Sequence, residues 1–396
     1  MSSTEYRYFL EYQAQTTAAP LGLEIKKARG SYITDIHNKH YLDFVAGVSA
    51  CTLGHRHPKV VRAIKRQLRK YLHVMVYGEF IQKEPALLVK QLADALPEKL
   101  SCTYLTNSGT EAIEGALKLA KRATGRAEVV AAHYAYHGNT QGAMSVMGFE
   151  ARKRAYRPLI PGTKFITFNK TEDLQNIDQN TAAVILETIQ GGAGFICPEN
   201  DYLKNVRKRC DEVGALLILD EIQPGMGRTG KLFAFEHYGI EPDILVTGKG
   251  LGGGLPVGAF CASKDLMNLL KHQPELGHIT TFGGHPLIAA ACRATLEVVT
   301  KGKLMEEALE KEQLIRELLI HKTIREIRGK GLMLALILES DTLAKKLVQE
   351  ALNSGLILFF LLFEPKAVRI TPPLTITKKE LKKGCKQIVS LLNKLC

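Results

Sequence analysis

Two acidic residues and a lysine stand at the ends of three apolar, strand-like segments in the middle of the chain. The segment AAVIL is followed by Glu187, ALLIL by Asp220, and DILVTG by Lys249. Ligands of an open parallel sheet bind at the carboxyl ends of its strands, so these side chains are predicted to meet in one site. A single acid after a strand is commonplace, whereas two acids and a lysine at successive strand ends favour a binding or catalytic pocket.

Lys249 lies in the glycine-rich stretch VTGKGLGGGLPVGA, where the backbone can approach a planar ligand closely. A lysine that is withdrawn from water has a lowered pKa, and its amine becomes a nucleophile. The alternative is an ordinary solvated loop lysine. Gly248, Gly250 and Gly253 also match the GxGxxG pattern of NAD-dependent oxidoreductases. The apolar run LPVGAFCAS follows that pattern where a helix is required, so the match is weak.

A second candidate element begins at Asn107-Ser108-Gly109-Thr110, directly before the helical pattern of Glu111–Arg122. A serine or threonine at this place caps the helix. The free backbone N–H groups of a helix N-terminus also bind anions. Capping alone needs no ligand, so these residues are compatible with a phosphate site but do not by themselves establish one.

Strand-like and helix-like segments alternate through the middle of the chain, which predicts an α/β domain with a mostly parallel sheet. We expect residues 1–50 to form an N-terminal segment that packs with a small domain. Residues 51–289 are predicted to form the large domain, and residues 290–396 a smaller C-terminal α+β domain. The most apolar run, LILFFLLF at 356–363, is too short to span a bilayer and is predicted to be a buried strand.

The composition argues against several classes of protein. The net charge is +13, but the basic residues are dispersed at helix-like spacings, which disfavours nucleic-acid binding. A basic surface would also attract acidic small substrates. The 8 cysteines show no CxxC spacing, and no metal cluster is expected. The N-terminus lacks the basic and apolar regions of a signal peptide, so a cytoplasmic protein without a membrane partner is expected.

Eight stretches of the sequence together resemble the class III aminotransferases, which include acetylornithine, ornithine, 4-aminobutyrate and putrescine aminotransferases. They lie in family order between residues 41 and 374: YLDFVAGVSACTLGHRHP, TNSGTEAIEGALKLAK, AYHGNT, VILETIQGGAG, LILDEIQPGMGRTGK, PDILVTGKGLGGGLPVGA, TTFGGHP and RITPPL. The resemblance implies a fold type I transferase with pyridoxal 5′-phosphate as its cofactor. It also implies ping-pong transfer of an amino group from an ω-amino or amino-acid donor, of the acetylornithine or ornithine kind, to a 2-oxo acid, with 2-oxoglutarate as the expected acceptor.

Other outcomes remain open on the same fold. The donor could instead be a diamine, a diaminopelargonate-like compound or a β-amino acid. The reaction could also be that of a pyridoxal-phosphate-dependent mutase, racemase or lyase.

The resemblance assigns roles to positions that match the family motifs. Lys249 resembles the lysine that holds the cofactor as a Schiff base and shuttles the proton, and Asp220 resembles the partner of the pyridine nitrogen. Arg369, in VRITPPL, resembles the arginine that grips the substrate carboxylate. The other expected cofactor contacts are a phosphate cup at Ser108, Gly109 and Thr110, a stacking ring at Tyr136 followed by His137, Glu187, Gln223 near the cofactor's O3′, and Thr281. Because that threonine reaches the phosphate of the neighbouring subunit in the family, a homodimer with shared active sites is expected.

Three positions depart from the family pattern and concern the substrate. At Asn139 the acetylornithine, ornithine and 4-aminobutyrate groups commonly carry an arginine that helps to bind a second carboxylate. At Gly192 they usually carry a glutamate that pairs with the carboxylate-binding arginine, and at Val48 the ornithine enzymes carry a tyrosine. Arg369 is therefore expected to lack an acidic partner and to favour a ligand that bears a carboxylate in both half-reactions.

Overall fold

The computed structural model describes residues 3–76 and 78–396. Its helices are α1 (Thr4–Tyr12), α2 (Ala46–Ser49), α3 (Pro58–Leu68), α4 (Lys83–Ala95), α5 (Gly109–Thr124), α6 (Gln141–Ser145), α7 (Tyr202–Val213), α8 (Lys264–Asn268), α9 (Pro286–Lys301), α10 (Leu304–Leu318), α11 (Asp341–Asn353) and α12 (Lys378–Leu395). Its strands are β1 (Ile25–Arg29), β2 (Tyr32–Asp35), β3 (His40–Asp43), β4 (Cys102–Thr106), β5 (Glu128–Ala132), β6 (Thr163–Ile166), β7 (Thr181–Glu187), β8 (Leu216–Asp220), β9 (Ile244–Gly248), β10 (Gly258–Ala262), β11 (Ile324–Lys330), β12 (Met333–Leu338), β13 (Leu356–Ile357), β14 (Phe359–Phe360) and β15 (Ala367–Ile370).

A seven-stranded sheet forms the centre of the molecule, in the order β4-β10-β9-β8-β7-β5-β6. Strand β10 runs antiparallel to both of its neighbours, and the pairs from β9 to β6 are parallel. Strands β7 and β9 are buried along their whole length, as expected for parallel strands with helices on both faces. The predicted α/β architecture with a mostly parallel sheet is confirmed.

The period-two alternation of the strands divides their side chains between two layers of helices. On one face, Ile185 and Ile218 pack in a cluster with apolar residues of α5, such as Ile113. On the other face, Leu186 and Leu219 belong to a larger cluster that includes apolar residues of α7. Helices α5 and α7 therefore clamp the sheet from opposite sides and fix the position of its carboxyl edge.

The C-terminal part of the chain forms a second, antiparallel sheet in the order β11-β12-β15-β14. Its core also contains Leu42 and Phe44 from the N-terminal segment. Leu296 and Val299 of α9, in contrast, belong to the core of the large sheet. The boundaries at residues 50 and 289 stay predictions, but the core of the large domain extends past residue 289.

The apolar run at 356–363 is not one continuous strand, and that prediction is wrong. Strand β13 pairs in parallel with β3, whereas β14 pairs antiparallel with β15, so the chain passes from one sheet to another near Leu358. Phe359 and Leu362 are 40% and 38% exposed. Among the residues that the structure describes, no helix is long and apolar enough to cross a membrane.

Candidate active site

A cavity of about 690 Å³ opens at the carboxyl ends of the parallel strands. Twelve of the residues predicted from the sequence line it: Val48, Ser108, Gly109, Thr110, Tyr136, His137, Asn139, Glu187, Asp220, Gln223, Lys249 and Arg369. Thr281 is outside this set. It follows Thr280, whose hydroxyl accepts a hydrogen bond of 2.7 Å from Asn107 Nδ2 at the cavity wall.

The register of the sheet brings the two acids side by side. Glu187 at the end of β7 pairs with Asp220 at the end of β8. The Glu187 carboxylate accepts hydrogen bonds from the backbone N–H groups of Tyr136 (3.0 Å) and Gly191 (2.6 Å). Burial raises the pKa of Glu187 to about 7, aided by the Asp220 charge and opposed by His137 and the two N–H groups. Near neutral pH Glu187 is thus poised between its two protonation states.

Asp220 is held in position from two directions. Its Oδ2 lies 2.8 Å from His137 Nδ1, and its Oδ1 accepts a hydrogen bond of 3.0 Å from the N–H of Ile222. Both side chains are buried. The histidine therefore fixes the orientation of the carboxylate, a supporting contact that the sequence pattern alone did not assign.

Lys249 follows the last residue of β9 and adopts a left-handed backbone conformation, with φ of +37°. Burial lowers the pKa of its amine, an effect that the Asp220 and Glu187 carboxylates oppose and the Arg369 charge reinforces. The interpretation as a solvated loop lysine is wrong, because the side chain faces the cavity and not bulk water. After Gly253 the chain enters β10 and not a helix, so the context of a dinucleotide fingerprint is missing.

The N-terminus of α5 forms another part of the wall. Ser108 is the N-cap, and its Oγ accepts a hydrogen bond of 3.3 Å from the N–H of Glu111. The Thr110 hydroxyl lies 2.8 Å from that of Thr140. Gly138 has φ of +136°, and a Cβ atom there would lie 2.2 Å from Thr110 Oγ1. The glycine thus lets two chain segments meet where the first amides of a 16-residue helix are turned towards the cavity.

Arg369 places a buried positive charge in the same cavity. It is 5% exposed, and its Nε donates a hydrogen bond of 3.2 Å to the Phe360 carbonyl. Burial lowers the pKa of its guanidinium to about 10. Its Nη1 has no hydrogen-bond partner, and no carboxylate within residues 3–76 and 78–396 forms an ion pair with it.

An apolar wall that sequence reasoning missed faces the polar residues. Phe359, Phe360 and Leu362 line the cavity. Phe363 stacks on Phe149 with ring centroids 4.7 Å apart, and a Cβ atom at Gly192 would lie 2.7 Å from the Phe363 ring. The apolar run containing these residues gave only the signal of a core strand, so nothing in the sequence pointed to the cavity.

Several buried polar atoms of the cavity are left without partners in the part of the chain that the structure describes. They are Asn107 Oδ1, His137 Nε2, Gln223 Nε2 and Arg369 Nη1. Buried polar atoms are normally hydrogen-bonded, so this set indicates a polar ligand. Together with the helix N-terminus, the acid pair and the amine of Lys249, these atoms fit a planar, phosphorylated aldehyde cofactor. Among the described residues no group of His, Cys, Asp and Glu side chains could hold a metal ion.

Comparisons with known proteins agree with this chemistry. The family model of the class III aminotransferases matches residues 12–392. A putrescine aminotransferase from Pectobacterium atrosepticum is 40% identical, covering 98% of this chain and 86% of its own length. An acetylornithine aminotransferase from Bacillus subtilis is 38% identical, covering 91% of this chain and 92% of its own.

A solved ornithine aminotransferase from Toxoplasma gondii, described with partial occupancy of pyridoxal phosphate at its active site, has the same fold. The two chains superpose with a TM-score of 0.92 at 31% identity, over 98% of this chain and 93% of the other. The cavity therefore occurs in a chain whose fold and sequence both match transaminases. The chain belongs to the class III aminotransferases and is a pyridoxal-phosphate-dependent transaminase of EC class 2.6.1.

Proposed function

We propose that this transaminase uses 2-oxoglutarate as its acceptor and takes the amino group from a donor that itself carries a carboxylate. The observation that carries the proposal is the buried guanidinium of Arg369, which shares one cavity with Lys249 and forms no ion pair with a described residue. A buried charge without a counter-ion is costly, so the cavity is built to receive an anion. An acetylornithine- or ornithine-like donor and glutamate all satisfy this requirement.

The apolar segment that contacts Arg369 supports the same proposal. In related enzymes a glutamate at the position of Gly192 neutralises the arginine when the donor presents an ω-amino group. Here the Phe363 ring occupies the space that such a side chain would enter. Arg369 therefore stays available in both half-reactions, and each substrate enters with a carboxylate towards it.

The residues that would hold the cofactor follow from the same geometry. The first amides of α5 and the Ser108–Thr110 segment would bind the phosphate, and Asp220 would hold a proton on the pyridine nitrogen. Gln223 Nε2, which lacks a partner, would donate to the ring oxygen. When bound, pyridoxal phosphate supplies the carbonyl that receives the amino group and the ring that takes up the electrons of the broken Cα–H bond.

The proton transfers fall to Lys249. Its lowered pKa makes a neutral amine accessible, which would take the proton from the amino-bearing carbon of the donor and deliver it to the cofactor carbon that receives the amino group. His137 keeps Asp220 oriented through their 2.8 Å contact. Arg369 fixes the carboxylate end of the substrate and thereby positions the amino-bearing carbon for the amine. The donor product leaves before the acceptor enters, which is the ping-pong sequence.

We further propose that the functional unit is a homodimer. Several large apolar residues near Thr281 are strongly exposed: Leu72 (56%), Phe80 (57%), Ile81 (99%), Leu276 (55%) and Phe282 (52%). The two segments that carry them meet where the rings of His73 and Phe282 lie 4.8 Å apart. Strongly exposed large apolar residues on two segments in contact are typical of a subunit interface, and a second copy would bring its Thr281 to this cavity. Cytoplasmic location stays a prediction.

The decisive experiment is a set of half-reactions followed by absorbance. Wild-type holoenzyme would be mixed separately with glutamate, N-acetylornithine, ornithine, 4-aminobutyrate, putrescine, lysine and a β-amino acid. Conversion by glutamate, reversed by 2-oxoglutarate, is the expected result, and the donors with a carboxylate should outperform putrescine. Conversion by putrescine alone would contradict the role of Arg369. A mutase, racemase or lyase would show product formation without stoichiometric consumption of a 2-oxo acid.

A further inference from the structure

Arg152 lies just outside the set of residues that line the cavity and is hydrogen-bonded to the same chain segment as Arg369. It is an exposed residue of the 3-10 turn Glu150–Arg152, and its Nη2 donates a hydrogen bond of 3.3 Å to the Leu362 carbonyl. Its guanidinium carbon lies 5.8 Å from the centroid of the Phe363 ring. Leu362 lines the cavity, so Arg152 is one contact away from the substrate space.

The two arginines are bound to carbonyls only two residues apart. Arg369 Nε donates to the Phe360 carbonyl and Arg152 Nη2 to the Leu362 carbonyl. Two residues of extended chain span at most roughly 7 Å. The two arginines are therefore anchored at neighbouring points of one short segment at the cavity, and a single dicarboxylate is a candidate to bridge them.

Arg152, like Arg154, has no carboxylate partner among the described residues, whereas Arg328 is paired. Arg328 is paired with Glu326 at 2.5 Å and approaches Glu364 at 3.7 Å. Lys153 is buried and donates to the Met147 carbonyl. Arg152 forms no ion pair with any carboxylate in the described ranges 3–76 and 78–396.

The charge of Arg152 acts on Tyr136, a residue that lines the cavity. Burial raises the pKa of the Tyr136 phenol, and the Arg152 guanidinium opposes that shift. Tyr136 lines the cavity beside Asn139, the position at which related enzymes carry an arginine for a second carboxylate. Asn139 brings no charge, and the rings packed next to Tyr136, those of Phe363 and Phe149, are apolar. A cation that pairs with the second carboxylate of a substrate must therefore come from outside this part of the cavity lining, where Arg152 lies.

We propose that Arg152 is a specificity-determining residue that binds the distal carboxylate of a dicarboxylic substrate while Arg369 binds the proximal one. The inference rests on the proposed function, in which Arg369 anchors a carboxylate. The guanidinium would exchange its single hydrogen bond to Leu362 for a bidentate contact with the carboxylate. Dicarboxylic partners such as 2-oxoglutarate and glutamate would then be favoured over monocarboxylic ones of similar length.

The test uses two unreactive ligands that differ by one charge, glutarate and monomethyl glutarate. Their affinities for wild-type holoenzyme would be measured by calorimetry and compared with those for Arg152→Gln, Arg152→Lys and Arg154→Gln. Arg154 is the matched control, because it is an exposed arginine of the same segment and, among the described residues, it has no hydrogen bond to the chain segment that Arg152 contacts at Leu362. Since both arginines are exposed, these substitutions are expected to leave the fold intact.

Wild type and Arg154→Gln should prefer glutarate by about tenfold, the value expected for one hydrogen-bonded charge at a solvent-exposed position. Arg152→Gln should lose this preference, and Arg152→Lys should keep part of it. The KM for 2-oxoglutarate should rise about tenfold in Arg152→Gln, with an unchanged KM for pyruvate.

An unaltered glutarate preference in Arg152→Gln, or an equal loss of affinity for both ligands, would overturn the inference. So would a wild-type enzyme that does not distinguish the two ligands. If wild type turned over no 2-oxoglutarate with any donor, the proposed acceptor would fail, and the glutarate titration would still decide the role of Arg152.

Discussion

Replacing Arg369 by methionine should make the free holoenzyme more stable while it weakens substrate binding. Burial lowers the pKa of this guanidinium from 12.5 to about 10. At about 1.4 kcal/mol per pKa unit, the buried charge costs the native state about 3 kcal/mol. Leaving the Phe360 carbonyl unpaired offsets about 1–3 kcal/mol of this cost. Since methionine fills a similar volume without charge, we expect a net gain of up to about 2 kcal/mol.

Arg228 provides a matched control within the same chain. It is also a fully buried arginine whose pKa burial lowers to about 10. Its guanidinium, however, donates to the carbonyls of Leu332 and Pro372 and to the Thr52 hydroxyl. Arg228→Met would leave these acceptors unpaired at about 1–3 kcal/mol each, so the same substitution should destabilise the protein.

Thermal unfolding of wild type, Arg369→Met and Arg228→Met, each saturated with pyridoxal phosphate, shows whether each substitution stabilises or destabilises the protein. The midpoint should rise for Arg369→Met and fall for Arg228→Met. Glutarate should raise the midpoint of wild type and have little effect on Arg369→Met, because the loss of a buried charge pair weakens binding by about 3 kcal/mol, or on the order of 100-fold. Equal destabilisation by both substitutions, or undiminished glutarate binding by Arg369→Met, would refute the reasoning.

Three further outcomes are expected. Lys249→Ala should abolish transamination and the absorbance of lysine-bound cofactor while it leaves cofactor bound non-covalently; wild-type turnover in this variant would contradict the role of Lys249. Gly192→Ala should cost about 1–3 kcal/mol of stability, because its Cβ would lie 2.7 Å from Phe363, and adding Phe363→Ala should remove most of that penalty; additive losses in the double variant would argue against the contact. Glu221, fully buried, has its pKa raised by burial from 4.5 to about 7, so its ionisation should cost the native state up to about 3 kcal/mol as pH rises from 4.5 to above 7. The unfolding midpoint of Glu221→Gln should therefore gain on wild type across this pH range, and parallel curves would show that Glu221 does not titrate there.

The sheet and the polar half of the site were predictable because both depend on local pattern. Strands β7, β8 and β9 read as apolar runs, and a parallel sheet must present their ends at one edge. Glu187, Asp220 and Lys249 follow those runs directly, so their meeting required no knowledge of long-range packing. The family motifs then identified the remaining polar residues by position.

The short element α2 around Val48, whose residues adopt left-handed φ angles and not those of a regular α-helix, could not be predicted in this way. Ala46, Gly47, Val48 and Ser49 all have positive φ, between 49° and 68°, although only one of them is a glycine. Asp43 makes this possible, since its Oδ1 accepts hydrogen bonds from the N–H groups of Val45 (2.8 Å) and Ala46 (2.9 Å). Its Oδ2 is held at 2.8 Å from His55 Nε2. Such strain is tolerated only when tertiary contacts impose it, which no local pattern reveals.

The apolar wall was missed for a related reason. Hydrophobicity predicts that LILFFLLF is buried but does not say which sheet each part joins. The structure sends Leu356 to β3 and Phe360 to β15, and the switch between sheets turns the side chains that follow towards the cavity. The hydrophobic pattern of a sequence does not indicate that a strand changes from one sheet to another.

That change of partner explains why the substrate-binding features occur together. The Phe360 carbonyl fixes Arg369, the Leu362 carbonyl fixes Arg152, and the Phe363 ring covers Gly192. All three contacts come from four consecutive residues, of which Phe360 ends the short strand β14 and Leu362 and Phe363 follow it. Backbone carbonyls at the end of a strand need donors, and the two arginines supply them. The hydrogen bonds that satisfy these carbonyls also hold two positively charged guanidinium groups at the cavity. The fold of this segment and the expected preference for dicarboxylic substrates therefore have one physical cause.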